Sequence, residues 1–282
     1  MANFSLTTGM VQRQARVVKH FKVAKDHYQL SLHCPEAVRR AQPGQFIHLL
    51  CPGNGDGPLL LRRPFSLFDV DLTRGTLDFI YKVVGSGTHS LQAVKVGQRL
   101  DLLGPLGSTF EVHPETKNIL LVGGGFGIPP LYYLAKALLE NSRRFNAPTI
   151  TAFLGARTRH WVIANKAFKQ LGVRTLVATD DGTMGHKGTT IDLVKRFLKK
   201  VPDRTALYTC GPTPMMAAAA RLAKQKNLFA QASLEERMGC AMGVCMGCVV
   251  EIKGPHATTH KKYQRVCTEG PVFAADAVVW DK

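Results

Sequence analysis

No stretch of this 282-residue chain is apolar for long enough to span a bilayer. The longest uncharged run, Asn118 to Ala135, is interrupted by Gly123, Gly124, Gly125, Gly127, Pro129 and Pro130, whereas a spanning helix needs about 20 apolar residues. The opening MANFSLTTGM has no basic stretch followed by an apolar run and a small-residue cleavage site. No secretory signal is read there, and a cytoplasmic location is expected. Acidic residues are scarce, with 20 Asp and Glu against 37 Lys and Arg and a net charge of +17. That excess suits an acidic partner or an anionic cofactor. A nucleic-acid role would need the basic residues gathered on one helix or tract; Arg39, Arg40, Arg143, Arg144, Lys199, Lys200, Lys261 and Lys262 are scattered instead, so no nucleic acid is expected. Internal repeats and low-complexity tracts are also missing.

What remains is a globular composition, with 45% hydrophobic and 20% charged residues, long enough for about two domains and an appendage. Residues 1–113 read as short strands between Gly and Pro turns: Tyr28 to His33, Gln45 to Leu50, and Thr76 to Val84 with Leu77, Phe79, Tyr81 and Val83 alternating. This spacing predicts a small antiparallel β barrel. Over 114–228 apolar strands at Asn118, Thr149, Arg174 and Thr205 alternate with helices at Leu131, Ala164, Ile191 and Pro214, the pattern of a parallel-sheet α/β domain. Residues 229–282 are too short and loop-rich to build a core unaided.

Seven cysteines, an odd number, argue against a disulfide framework. Cys34, Cys51 and Cys210 stand alone, but Cys240-x4-Cys245-x2-Cys248 is followed by Cys267 after 18 residues. This is the plant-type [2Fe-2S] spacing, in which four soft thiolates hold the cluster and small intervening residues let backbone amides reach the sulfurs. A structural zinc site also uses four cysteines but pairs two C-x2-4-C knuckles. Here the second knuckle is missing.

Three glycine-containing segments follow predicted strands: Gly123-Gly124-Gly125-Phe126-Gly127, then Asp180-Asp181-Gly182, then Cys210-Gly211-Pro212. Ligands of open parallel sheets bind at such strand ends, and glycines let amides approach a pyrophosphate at a helix N-terminus. The spacing is not G-x-G-x-x-G, and each segment also suits an ordinary turn. In the first part, Arg62-Arg63-Pro64-Phe65-Ser66 offers a guanidinium for a pyrophosphate and a hydroxyl for a flavin nitrogen, or makes a surface bend. Gly85-Ser86-Gly87-Thr88 offers amides and a hydroxyl to an anion.

As an ordered set these pieces resemble the ferredoxin-reductase-type flavoproteins, most closely the electron-transfer subunits of NAD-dependent dihydroorotate dehydrogenases. The resemblance covers nearly the whole chain. Arg63-Pro64-Phe65-Ser66 is similar to the superfamily's flavin motif, Ile80-Tyr81-Lys82 and Gly87-Thr88 to its further FAD segments, Gly123 to Pro130 to its nicotinamide-dinucleotide loop, and Cys210-Gly211-Pro212 to a turn near the nicotinamide. Ser233-Leu234-Glu235, the three close cysteines and Val266-Cys267-Thr268-Glu269-Gly270-Pro271 narrow the likeness to the iron-sulfur branch. Two residues depart from the pattern: Phe65 stands where tyrosine is frequent, and Ala241 where glycine is common.

The resemblance implies FAD, a [2Fe-2S] cluster on Cys240, Cys245, Cys248 and Cys267, and a nicotinamide dinucleotide held by Gly123, Gly124, Gly125, Gly127, Asp180 and Cys210 to Pro212. It further implies an FMN-containing catalytic dihydroorotate dehydrogenase partner in a heterotetramer with two copies of each chain. Electrons would pass from that partner through cluster and FAD to NAD+, in pyrimidine biosynthesis. No catalytic acid or nucleophile of the chain's own is needed, because flavin joins two-electron to one-electron chemistry. NAD is expected, while Arg157, Arg159 and His160 suit either a 2'-phosphate or solvent. The alternatives are a flavin subunit serving a hydrogenase, a sulfite reductase or a transhydrogenase, and, from another class, a basic zinc-containing nucleic-acid-binding protein.

Overall fold

The computed structural model describes residues 9–53, 59–141, 148–199, 203–253 and 262–280. Its first sheet is antiparallel throughout and runs in the order β4-β3-β7-β1-β2-β6-β5. The strands are β1 (Val11–Ala24), β2 (His27–His33), β3 (Phe46–Leu50), β4 (Arg63–Ser66), β5 (Asp69–Asp71), β6 (Thr76–Lys82) and β7 (Arg99–Leu106). The outermost strands β4 and β5 are consecutive in the chain. Between them the Leu67 amide donates to the Gln45 carbonyl at 3.3 Å and the Phe68 amide to the Asp78 carbonyl at 2.8 Å, which closes the sheet into a barrel. Leu30, Leu32, Ile47, Leu49, Leu77, Phe79 and Leu102 fill it. Two short helices accompany it: α1 (Pro35–Val38) and α2 (Ser86–Gln92).

The alternation read from the sequence begins at Tyr28 and passes over β1. Only Ala15 and Val17 of that strand are buried, and register shifts at Val17/Lys19 and Lys22/Ala24 break its period. A half-exposed, bulged strand carries almost no apolar signal. The Gly85–Thr88 segment, read as offering amides and a hydroxyl to an anion, is the N-cap and first turn of α2. Thr88 Oγ1 accepts from the amides of Val84 at 2.9 Å and Gly85 at 3.1 Å, satisfying donors ahead of the helix.

The second sheet runs β11-β10-β9-β8-β12-β13-β16. It contains β8 (Asn118–Gly124), β9 (Thr149–Ala156), β10 (Arg174–Thr179), β11 (His186–Lys187), β12 (Thr205–Cys210), β13 (Phe229–Ser233) and, lying antiparallel to β13, β16 (Val272–Ala274). The other neighbours are parallel. Its helices are α3 (Ile128–Asn141), α4 (Asn165–Gln170), α5 (Thr190–Phe197) and α6 (Thr213–Gln225). Pro129 and Pro130 lie in the first turn of α3, where a missing amide costs nothing; Thr189 and Asp192 form a reciprocal cap on α5. One face of the sheet packs on α3 and α4, the other on α5 and α6.

Helix α3 joins the two units. Tyr133 is buried in the barrel core and its hydroxyl donates to the Ala41 carbonyl at 2.9 Å, while Lys136 pairs with Asp69. The last segment adds a small hairpin, β14 (Val249–Glu251) with β15 (Tyr263–Arg265). Its core of Met238, Cys248, Val250, Val266 and Phe273 includes Phe46 and Leu106 of the barrel and Met216 and Ala220 of α6. Among the described residues, no helix is long and apolar enough to cross a membrane.

Candidate functional site

A cleft of about 990 Å³ opens where the three regions meet. From the barrel it is lined by Arg63, Pro64, Phe65, Ser66, Ile80, Tyr81, Lys82 and Thr88; from the turn after β8 by Phe126; from the C-terminal segment by Glu235, Met238, Gly239, Cys245 and Gly247. Eight of the residues that the sequence singles out for flavin thus share one wall, and a cysteine of the C-x4-C-x2-C run forms the opposite side.

Arg63 opens β4, and Arg62 immediately before it takes a different partner. Arg62 pairs with Asp101 at 2.9 Å and donates to the Asp101 carbonyl at 2.8 Å. Among the described residues the Arg63 side chain bonds only the carbonyls of Leu61 and Arg62, so none of them offers a carboxylate to its guanidinium beside the cleft. Gly87 is buried against it; a Cβ there would stand 3.2 Å from Arg63 Cγ and Nε. These residues fit a pyrophosphate, because the guanidinium holds free donors in planar geometry. Phe65 is mostly a core residue, 4.6 Å from the Phe79 ring, and presents only its edge of the wall. Tyr81 bonds His20 Nε2 at 2.9 Å, and His20 Nδ1 lies 2.8 Å from the Val94 carbonyl. Burial pushes the Tyr81 phenol well up, which keeps it protonated. The Lys82 ammonium sits 3.7 Å over the Trp161 ring, a cation–π contact across the two units.

The glycine turn needs a finer reading than the sequence allows. A Cβ on Gly127 would fall 2.2 to 2.3 Å from the Cys210 carbonyl carbon and oxygen. That glycine permits the turn after β8 to touch the turn after β12. Gly123 and Gly124 likewise face Ile128 and Met215. Gly125, with φ of +55° and nothing within 4 Å of its Cβ position, is the one with open space for a ligand. Gly123, Gly124, Gly125, Gly127, Cys210, Gly211 and Pro212 therefore form one joint at adjacent strand ends, yet none of them lines the cleft; only Phe126 reaches it. Cys210 is fully buried, and burial raises its thiol, with Glu235 adding to the effect. Asp180 is exposed at the end of β10 and stands apart from the cleft.

Around the cysteines the backbone turns left-handed at Ala241, Gly243 and Met246, with φ of +56°, +79° and +56°. Ala241 thus adopts the conformation that a glycine holds without penalty. The turn aims amides inward: Met242 and Cys245 each donate to Cys240 Sγ at 3.4 Å. Burial acts upward on the Cys240 thiol, but these donors and the Val244 amide outweigh it and bring it down to about 6. Cys248 and Cys267 are buried and lie against each other; burial and Cys248 push Cys267 up to about 11. The four sulfurs therefore form an outer pair, Cys240 with Cys245, and an inner pair, Cys248 with Cys267. Two pairs suit a two-iron cluster, which spreads its four ligands over two metal atoms.

The pairing of Arg265 with Glu269 escapes sequence reading. Arg265 Nε donates to both Glu269 carboxylate oxygens, at 3.1 and 2.9 Å, and its Nη1 donates to the Gly243 carbonyl at 2.7 Å. This ties the loop carrying Cys267 to the loop carrying the other cysteines. The only signal was a pair of opposite charges flanking Cys267 two residues on either side. Glu235, quoted above without a role, lines the cleft with its side chain exposed there.

Comparison with known proteins agrees with this layout. Residues 14–110 match the model of an oxidoreductase FAD-binding domain, 121–221 an oxidoreductase NAD-binding domain, and 235–279 the iron-sulfur cluster binding domain of dihydroorotate dehydrogenase B. The chain is 39% identical, over 96% of its length and 100% of the relative's, to the electron transfer subunit of dihydroorotate dehydrogenase B (NAD(+)) of Shouchella clausii. It is 36% identical to that of Desulforamulus reducens, over 95% of this chain and 98% of the relative. A chain in the structure of an NADH-dependent reduced ferredoxin-NADP oxidoreductase superposes with a TM-score of 0.81 at 32% identity, covering 95% of this chain and 90% of that one. The cytochrome b5 reductase domain of Ulva prolifera nitrate reductase, at 19% identity, 77% and 93% coverage and a TM-score of 0.62, shares the fold. With iron-sulfur, flavin and nucleotide regions in one order over nearly its full length, the chain belongs to the family of electron transfer subunits of NAD(+)-dependent dihydroorotate dehydrogenase B.

Proposed function

We propose that this chain carries electrons from a catalytic dihydroorotate dehydrogenase subunit, through a [2Fe-2S] cluster and FAD, to NAD+. The carrying observation is the single cleft that is lined by Arg63, Ser66 and Tyr81, by Phe126 and by Cys245 together. When bound, FAD exchanges a hydride with the nicotinamide on one side and single electrons with the cluster on the other.

Cys240, Cys245, Cys248 and Cys267 hold the cluster in this reading, and the amides of Met242 and Cys245 stabilise thiolate on Cys240. Arg63 neutralises the flavin's pyrophosphate, Ser66 offers a hydroxyl, Thr88 fixes the start of α2 beside it, and Pro64, Phe65, Ile80 and Tyr81 form the apolar wall beside Lys82. Gly87 leaves room for Arg63. The joint of Gly123, Gly124, Gly125 and Gly127 with Cys210, Gly211 and Pro212 receives NAD+, with Gly125 offering open backbone, and Asp180 stands at the outer end of that surface. The partner is an FMN-containing subunit, two of each chain forming the assembly. Seven unbridged cysteines support a reducing compartment, the cytoplasm.

The test is Cys245→Ser in the anaerobically purified protein. Its visible cluster spectrum and electron delivery from the partner are lost, while reduction of bound FAD by NADH continues. Normal partner-linked turnover without the cluster would overturn the reading.

A further inference from the structure

A second cleft, of about 500 Å³, lies on the barrel and shares no residue with the first. Arg13, Arg16, Arg99 and His33 line it, with Glu36 as its only carboxylate. Three guanidinium groups against one carboxylate leave a surplus of two positive charges. Glu36 is already taken by Arg13, whose Nε lies 3.4 Å from it.

The three arginines are exposed at the cleft, and the register of the sheet holds two of them side by side. Arg16 lies directly opposite Arg99 on β7 and directly opposite His33 on β2. Directly opposed residues of antiparallel strands point to the same face with their Cβ atoms about 5 Å apart, and like charges so placed are destabilising. Arg99 spends one donor on the Gln14 carbonyl at 3.3 Å; among the described residues the Arg16 guanidinium has no partner. The row also lies inside the sheet, since β1 is flanked by β7 and β2.

We propose that this row is a binding site for a condensed phosphate, a pyrophosphate or the phosphate tail of a larger metabolite. Guanidinium forks match phosphate oxygens in pairs, and the two surplus positive charges favour such a polyanion over a smaller, less charged anion. No phenyl, phenol or indole ring lines the cleft, so recognition is of the charged group and not of a nucleobase.

The test uses the FAD- and cluster-loaded protein with inorganic pyrophosphate as the probe, titrated calorimetrically at fixed ionic strength, against sulfate as control. Saturable binding is expected, weakened about tenfold in Arg16→Gln and again in Arg99→Gln, the loss of one charge-assisted contact each. Removing Arg16 also relieves the like-charge row, so the ligand-free melting temperature at low salt stays level or rises. Three results would each overturn the proposal: no saturable binding, binding unchanged in both variants, or a ligand-free melting temperature that falls in Arg16→Gln. The cofactor spectra report that each variant is folded.

Discussion

His48 sits in β3 with no solvent exposure, and among the described residues neither of its ring nitrogens has a hydrogen-bond partner. It lies near the backbone of Met238 and Arg62, between the barrel and the cysteine segment. Burial, helped by the Arg62 charge, lowers its imidazole to about 4. The folded protein therefore keeps His48 neutral where the unfolded chain, titrating near 6.5, takes up a proton. Stability is unaffected above about pH 6.5 and is lost as pH falls from there toward 4. At pH 5.5 the unfolded state is favoured through this one group by a factor of about 11, or about 1.4 kcal/mol; at pH 7.5 the contribution is about 0.1 kcal/mol. Replacing His48 by leucine removes the titration and the two unpaired nitrogens. Urea unfolding followed by tryptophan fluorescence at both pH values tests this: wild type loses about 1.3 kcal/mol more than His48→Leu between pH 7.5 and 5.5, and the variant is the more stable by about 1 to 3 kcal/mol at pH 7.5. Equal losses in the two proteins would show that the ring is solvated in the folded state and would refute the reasoning.

Two other substitutions test the joints of the site. Arg265→Met cuts the tie between the Cys267 loop and the Gly243 carbonyl, so the cluster is expected to leave several-fold faster under a chelator while FAD content is unchanged; Arg265→Lys, which keeps charge but not the fork, restores only part of the loss. Gly127→Ala drives a methyl into the Cys210 backbone and costs about 3 kcal/mol or more, read by thermal unfolding, with NADH reduction of FAD slowed.

The α/β half was the most legible part of the sequence because its strands are buried on both faces and end in glycine. Asn118 to Val122 and Thr205 to Cys210 read as continuous apolar runs and occur as β8 and β12. The barrel was partly hidden: β1 shows solvent a row of Arg, Lys and Gln side chains, and β7 lies in a stretch where Gly104, Pro105 and Gly107 suggest only turns. Within the site, the spacing of Cys240, Cys245 and Cys248 was legible since ligands on one loop are local. The glycine motif was legible in position but not in cause. That Gly127 meets Cys210 depends on β8 and β12 being neighbours, a relation between residues 83 positions apart that no local pattern encodes. Arg265 and Glu269 left only a pair of opposite charges around Cys267 for the same reason, as their purpose lies in Gly243.

The cysteine segment packs its core on Phe46 and Leu106 from the barrel and on Met216 and Ala220 from α6, and it contributes β16 to the second sheet only by pairing with β13. It therefore has no surface on which to fold until both larger units exist. Iron loading becomes a late step in the life of the chain. A misassembled barrel removes part of the surface that the cysteine segment packs on, so the cluster's absorption reports on more of the polypeptide than the segment that carries the ligands.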